Sequence, residues 1–140
     1  MSWNQGPKFR ANGTIAPAVF VKIDTTADNM VVQATAGSKI SGVSQEGMKR
    51  TPGLPGSDTT IAAVAGDEID VFGPGDVCML TAGAAVVRGD YLKSDANGLA
   101  LPTTVGGGGN FYGAEALESA SGINVKFQAR IILGYLPQAT

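Results

Sequence analysis

Residues Gly89 to Pro102 read GDYLKSDANGLALP, and the fold turns on whether this stretch is a metal loop or a corner. Asp90, Asp95, Asn97 and Gly98 lie close together. Oxygen ligands at alternate positions near a glycine are the raw material of a calcium loop, but such a loop closes on a bidentate glutamate. After Gly98 come Leu99, Ala100, Leu101 and Pro102, and no glutamate follows until Glu115. A hairpin fits better. YLKS and LAL are strand-like, Asn97-Gly98 tolerates positive φ, and Asp95 can accept backbone amides in the turn. The stretch is a corner between two strands, with no metal or cofactor expected.

The same grammar runs outward from it. Three Gly-Asp corners, Gly66-Asp67, Gly75-Asp76 and Gly89-Asp90, each precede a strand-like run: EIDVF, VCML and YLKS. Their recurrence is shared turn chemistry, with no exact repeat. Upstream, Thr14–Asp24 (TIAPAVFVKID) alternates through Val19, Val21 and Ile23, with Pro17 marking an edge or bulge at its start. MVVQATA and KISGVSQ follow as further strands. Downstream, INVKFQARIILGY puts Val125, Phe127, Ala129 and Ile131 on one face and Lys126, Gln128 and Arg130 on the other. Its IIL run predicts that both faces become covered near the end. Gly113–Ser121 (GAEALESAS) fits a strand or a single helical turn. Turn signals every 8–12 residues predict an all-β, mainly antiparallel fold: a small β-barrel or β-sandwich with long loops.

Two segments fall outside this grammar. Residues 1–13 read as an extended N-terminal arm, with residues 14–140 as a single β domain. Extended, the arm reaches about 40 Å. It is either a frayed terminus or an anchor onto a neighbouring subunit through Trp3 and Phe9, flanked by Lys8 and Arg10. Its removal is expected to spare the fold and weaken assembly. Gln45 to Thr59 is an irregular stretch whose Pro-Gly corners forbid a regular element. Lys49 and Arg50 make it a second candidate contact loop. The four glycines at 106–109 match neither a P-loop nor a dinucleotide fingerprint and read as a flexible loop.

Composition narrows the chemistry. The chain has 140 residues, 44% apolar and 16% charged, with a net charge of −2, which suits one folded domain and no general attraction for nucleic acid. No apolar run is long enough to span a bilayer, and no segment has the pattern of a signal peptide, so a soluble chain made in the cytoplasm is expected. Cys78, the one cysteine, is expected to be a small buried hydrophobe. The sequence has no histidine, which rules out histidine bases, histidine metal sites and Ser-His or Cys-His nucleophiles. Asp67, Glu68 and Asp70 are the remaining acid–base candidates; in a strand Glu68 and Asp70 share a face about 7 Å apart. No enzymatic activity is expected.

With these residues in view, the chain resembles the capsid cement (decoration) proteins of tailed bacteriophages. GDYLKSDANGLALP carries the resemblance, with GPGDVCMLTAGAAVVRGD before it and YGAEALESASGINVKFQARIIL after it. The earlier NGTIAPAVFVKIDTTADNMVVQATAGSKISGVSQEG is similar to the start of such proteins. The likeness runs from about Asn12 to Leu133, in turn-and-strand patterns rather than catalytic motifs. It implies a β-rich virion protein on the outer capsid surface, bridging neighbouring major capsid proteins, as a homotrimer or other small homo-oligomer. The second reading is a β-barrel binding module for carbohydrate or a fibre accessory. That reading wants exposed aromatics on one face, and along the sequence the aromatics are scattered.

Overall fold

The computed structural model describes residues 9–45, 61–103 and 110–136. They form an all-β fold of eleven strands in two sheets. The first sheet holds β1 (Phe9–Ala11), β2 (Phe20–Ile23), β3 (Met30–Gln33), β4 (Gly42–Ser44), β5 (Glu68–Ile69) and β6 (Val71–Phe72), in the order β5-β1-β3-β2-β4-β6. Only β1 and β3 run parallel; the other pairs are antiparallel.

EIDVF, expected as one strand, is the device that curls this sheet. Its first half pairs with β1 at one edge and its second half with β4 at the other. Only Asp70 separates the halves, so five residues join both edges of a nearly closed barrel. The Gln45 side chain receives the Asp70 N–H (3.0 Å) at the junction. The barrel interior is filled by Ile15, Val19, Val21, Val31 and Ile69, with small Ala11 and Ala63 where strands approach closely.

The second sheet holds β7 (Val77–Thr81), β8 (Tyr91–Ser94), β9 (Ala100–Pro102), β10 (Asn110–Ala116) and β11 (Lys126–Leu136), ordered β7-β11-β10-β8-β9 and antiparallel throughout. A bridge from Ala82 to Ala100, with the Gly83 N–H on the Ala100 carbonyl (2.7 Å), links the end of β7 to the far edge strand. The expected alternation along β11 is observed: Phe127, Ala129 and Ile131 are buried while Lys126, Gln128 and Arg130 are exposed. Phe127, Leu80, Leu92 and Ile131 meet Phe20 and Val43 from the first sheet, and Ile40 from the β3–β4 connection, in one core. Cys78 lies in it, as expected.

The three Gly-Asp corners share one geometry. In Val64–Asp67, Gly73–Asp76 and Val87–Asp90 the aspartate N–H donates to the carbonyl three residues back (3.0–3.1 Å). Its carboxylate in turn accepts the N–H of that same residue (2.9–3.1 Å). The glycines hold φ of 90°, 91° and 92°, a region costly for residues with a Cβ. Each corner then clasps one buried strand residue. The glycine N–H donates to the carbonyl of Ala11, Ile131 or Ala116, and the aspartate carbonyl accepts that residue's N–H. The shared chemistry visible in sequence is a reusable clip between turn and strand.

The Asp95–Leu99 turn is the expected hairpin, joining β8 to β9 with Leu92 opposite Pro102 and Ser94 opposite Ala100. Asp95 Oδ1 accepts the N–H groups of Asn97 (2.7 Å) and Leu99 (2.9 Å). The turn also docks onto the first sheet. The Gly98 carbonyl accepts the Phe20 N–H (2.8 Å), and the Gln33 amide donates to the Asn97 carbonyl (2.6 Å). At Gly98, φ is 80° and an added Cβ would lie 2.9 Å from the Phe20 carbonyl oxygen and 3.0 Å from Gln33 Cγ. Gly98→Ala is therefore expected to lower stability by about 1–3 kcal/mol, read as a denaturant midpoint shift at constant slope.

Three expectations are corrected and one left open, GAEALESAS, is decided. Residues 9–11 of the expected arm form β1, an interior strand between β5 and β3. The Thr14–Asp24 strand breaks at Pro17 and Ala18, a turn with Ala18 at φ 55°, and resumes as β2. GAEALESAS is strand only through Ala116, its helix-favouring composition overridden by pairing to β8 and β11. The end of β11 is not covered on both faces: Leu133 is 40% and Tyr135 53% exposed.

Candidate functional site

Of the candidate contacts named from sequence, Phe9 and Arg10 lie among the described residues. Phe9 is half-buried against the barrel interior. Arg10 is exposed and in register with Glu68. Trp3, Lys8, Lys49 and Arg50 lie outside the described residues, as does the oligoglycine run. The three carboxylates singled out from sequence occupy different settings. Asp67 closes its corner by accepting the Val64 N–H. Glu68 and Asp70 are exposed, at the point where β5 gives way to β6. Among the described residues no group of three or more acidic, cysteine or histidine side chains could hold a metal ion.

Asp24 is a structural carboxylate of another kind. Asn12 Nδ2 donates to it, and the Thr26 N–H (2.9 Å) and hydroxyl (2.8 Å) bind its other oxygen. The Asn12 bond first, then the two Thr26 bonds and the Lys22 charge, hold its carboxyl below the usual range, against an opposing effect of burial. A carboxylate with a depressed folded-state pKa stabilises above its unfolded pKa, and that stabilisation is lost as pH falls through the folded value. Between pH ~5 and ~2 the Asp24→Asn variant should therefore lose less of its stability than the parent does. Parallel acid unfolding curves would contradict this.

What the structure does gather is aromatic. Beyond Ala114 on β10 and Ile131 on β11 the second sheet narrows to a two-stranded ribbon, with Asn110 opposite Leu136, Phe111 opposite Tyr135 and Tyr112 opposite Gly134. A register shift between Tyr112 and Ala114 starts it; such bulges sharpen twist and re-aim side chains. The Phe111 and Tyr135 rings meet edge to face at 4.7 Å between centroids. Tyr112 lies over Gly134, where a Cβ would collide with its ring, and stacks on Tyr91 at 4.9 Å and 13°. Successive strand residues face opposite ways, so the two pairs clothe opposite faces of the ribbon. Beside Tyr91, the outer face carries the Glu115–Arg130 ion pair (3.8 Å). Phe111, Leu133 and Tyr135 join Ile40 and Lys39 around a shallow cavity of about 260 Å³. Lys39 also borders a larger groove of about 650 Å³ that includes Lys22, Ser38 and Ser41.

An isolated two-stranded ribbon is marginal in water, and aromatic pairs add about 0.5–1.5 kcal/mol each beyond burial. The stacked rings therefore hold the ribbon and at the same time present an apolar surface. Sequence reasoning missed it because the aromatics are far apart along the chain. A mirrored signal was present: Phe111-Tyr112-Gly113 against Gly134-Tyr135, which antiparallel pairing brings face to face.

The site so defined is an exposed aromatic ribbon on a β-barrel-like protein. No family model matches the chain, and no curated protein does. Among solved structures it is similar to the head fibre gp8.5 N base of bacteriophage phi29, with 17% identity over 89% of this chain and 91% of that one, at a TM-score of 0.49.

Proposed function

We propose that this chain is a structural component of a tailed-phage head: a cement protein that binds the outer capsid surface and bridges neighbouring major capsid proteins. The aromatic ribbon carries the reading. Tyrosine and phenylalanine are enriched in protein interfaces and depleted from ordinary surface, and here they stand on paired strands rather than on a loop. The turn-and-strand resemblance from Asn12 to Leu133 supplies the class of partner. The protein acts as a small homo-oligomer, such as a trimer, on the virion exterior after synthesis in the host cytoplasm. It needs no cofactor, nucleic acid, membrane or catalytic step. Its mechanism is adhesion by modest contacts repeated over a symmetric lattice, where avidity multiplies weak affinity. Capsid shells made without the protein should take it up and resist heat better. Leu133→Asp with Tyr135→Asp should cut that uptake at least ~10-fold, a cost of about 1.4 kcal/mol for the pair. Failure of the parent protein to bind shells would sink the reading.

The second reading, a carbohydrate-binding module, gains in part from the same finding, because the aromatics gather on one ribbon, though on its two opposite faces. It requires a ring free to stack on sugar beside several hydrogen-bonding groups. The rings here are engaged with one another, and among the described residues Lys39 is the one charged side chain bordering the cavity. Specific hits on a glycan array would favour it over the cement reading.

A further inference from the structure

The cavity beside the ribbon has a chemistry of its own. Its lining is apolar, from Ile40, Phe111, Leu133 and Tyr135, apart from Lys39 at the rim. Lys39 is exposed, and among the described residues its ammonium has neither a hydrogen bond nor an ion pair. Lys22, the other cation of the adjoining groove, is engaged: its ammonium reaches Thr35 Oγ1 at 3.2 Å, and it neighbours the Asp24 carboxylate. Asp24 in turn has its oxygens occupied by Asn12 and Thr26. The two cavities share Lys39, so an extended chain leaving the apolar cavity passes that cation before it enters the groove.

We infer that this surface docks an extended segment of a partner protein, seating one apolar side chain against Phe111, Leu133 and Tyr135 and setting an adjacent carboxylate on Lys39. The inference rests on the cement reading for the source of the segment, the shell protein. Charge complementarity selects the partner: a cation with no partner among the described residues, beside an apolar cavity, favours an apolar–acidic pair and disfavours an apolar–basic one. A second copy of this chain is the competing occupant.

The test uses the full-length protein, labelled for amide nuclear magnetic resonance, and three blocked tetrapeptides: Ser-Phe-Glu-Ser, Ser-Phe-Gln-Ser and Ser-Phe-Lys-Ser. The glutamate peptide should shift the amides of Phe111, Leu133 and Tyr135 and bind about 5-fold more tightly than the lysine peptide, the worth of one exposed charge contact. Lys39→Glu should reverse that order, and Lys39→Ala should abolish it. Equal binding of the three peptides, shifts elsewhere, or no shift at millimolar peptide would overturn the inference. So would concentration-dependent shifts of the same amides without peptide, together with a rise in mass, which would assign the surface to a second copy. Shell uptake separates the two readings. If the parent and Lys39→Glu proteins bind shells equally, the docking inference fails and the cement reading stands. If neither binds shells while the peptide order holds, the reverse is true.

Discussion

Deleting residues 1–13 is expected to abolish cooperative unfolding, whereas a deletion ending at Lys8 leaves β1 in place and is expected to keep a cooperative transition. β1 lies between β5 and β3. The Arg10 N–H donates to the Asn29 carbonyl, the Ala11 N–H to Asp67 and the Asn12 N–H to Val31, and the Ala11 carbonyl receives the Gly66 N–H. At about 1 kcal/mol net per bond, plus the burial of Ala11 and part of Phe9, the loss rivals the 5–15 kcal/mol that typically separates folded from unfolded chains. The cost is compounded, because β3 and β5 are left with unpaired backbone groups facing an opened barrel interior. Far-ultraviolet circular dichroism during heating distinguishes the two deletions. A 14–140 chain that melts sharply at the parental temperature would show that the barrel does without β1.

Phe20→Ala is the second large effect. Phe20 is fully buried and sits in the core shared by both sheets. It pairs with Val43, its N–H holds the Gly98 carbonyl, and its ring lies where a side chain at Gly113 would otherwise go. Truncating a buried phenylalanine removes transfer free energy and leaves a cavity that packed sheets refill poorly, about 3–5 kcal/mol in all. For a domain of this size that is a fall in Tm on the order of 10–20 °C. Leucine at this position should recover about half of the loss, since it fills most of the volume. A change below about 1 kcal/mol would mean that the two sheets do not share this core as described.

What could be read from sequence was local. Asp95, Asn97 and Gly98 carry their turn within five residues, and the Gly-Asp corners close on themselves, so turn chemistry alone identified them. The alternation from Val125 to Ile131 was legible because one strand lies over one core. The misread places depend on partners distant in the chain. Nothing in EIDVF announces that Glu68 and Phe72 serve opposite edges, since that follows from barrel closure. Phe9 and Arg10 looked like an arm because three residues are too few to show a period. IIL looked doubly covered because hydrophobicity does not say whether a sheet continues past its neighbours. Here β7 and β8 stop and β10 and β11 go on alone, and the aromatic ribbon is the result.

The hairpin at Asp95–Leu99 also bears on chemical ageing. Asn97-Gly98 is the kind of dipeptide in which the following amide nitrogen most readily attacks the asparagine carboxamide, closing a succinimide and releasing ammonia. That attack needs a mobile, unengaged glycine nitrogen. Here the Gly98 N–H is held by the Asp95 carbonyl at 3.2 Å, and the turn is pinned to the first sheet through Phe20 and Gln33. The folded chain should therefore keep its asparagine through prolonged warm storage. A variant whose turn is loosened, such as Asp95→Ala, should deamidate at Asn97 faster, a difference that peptide mass spectrometry reads directly. The contacts that aim this corner also set the shelf life of its most fragile bond.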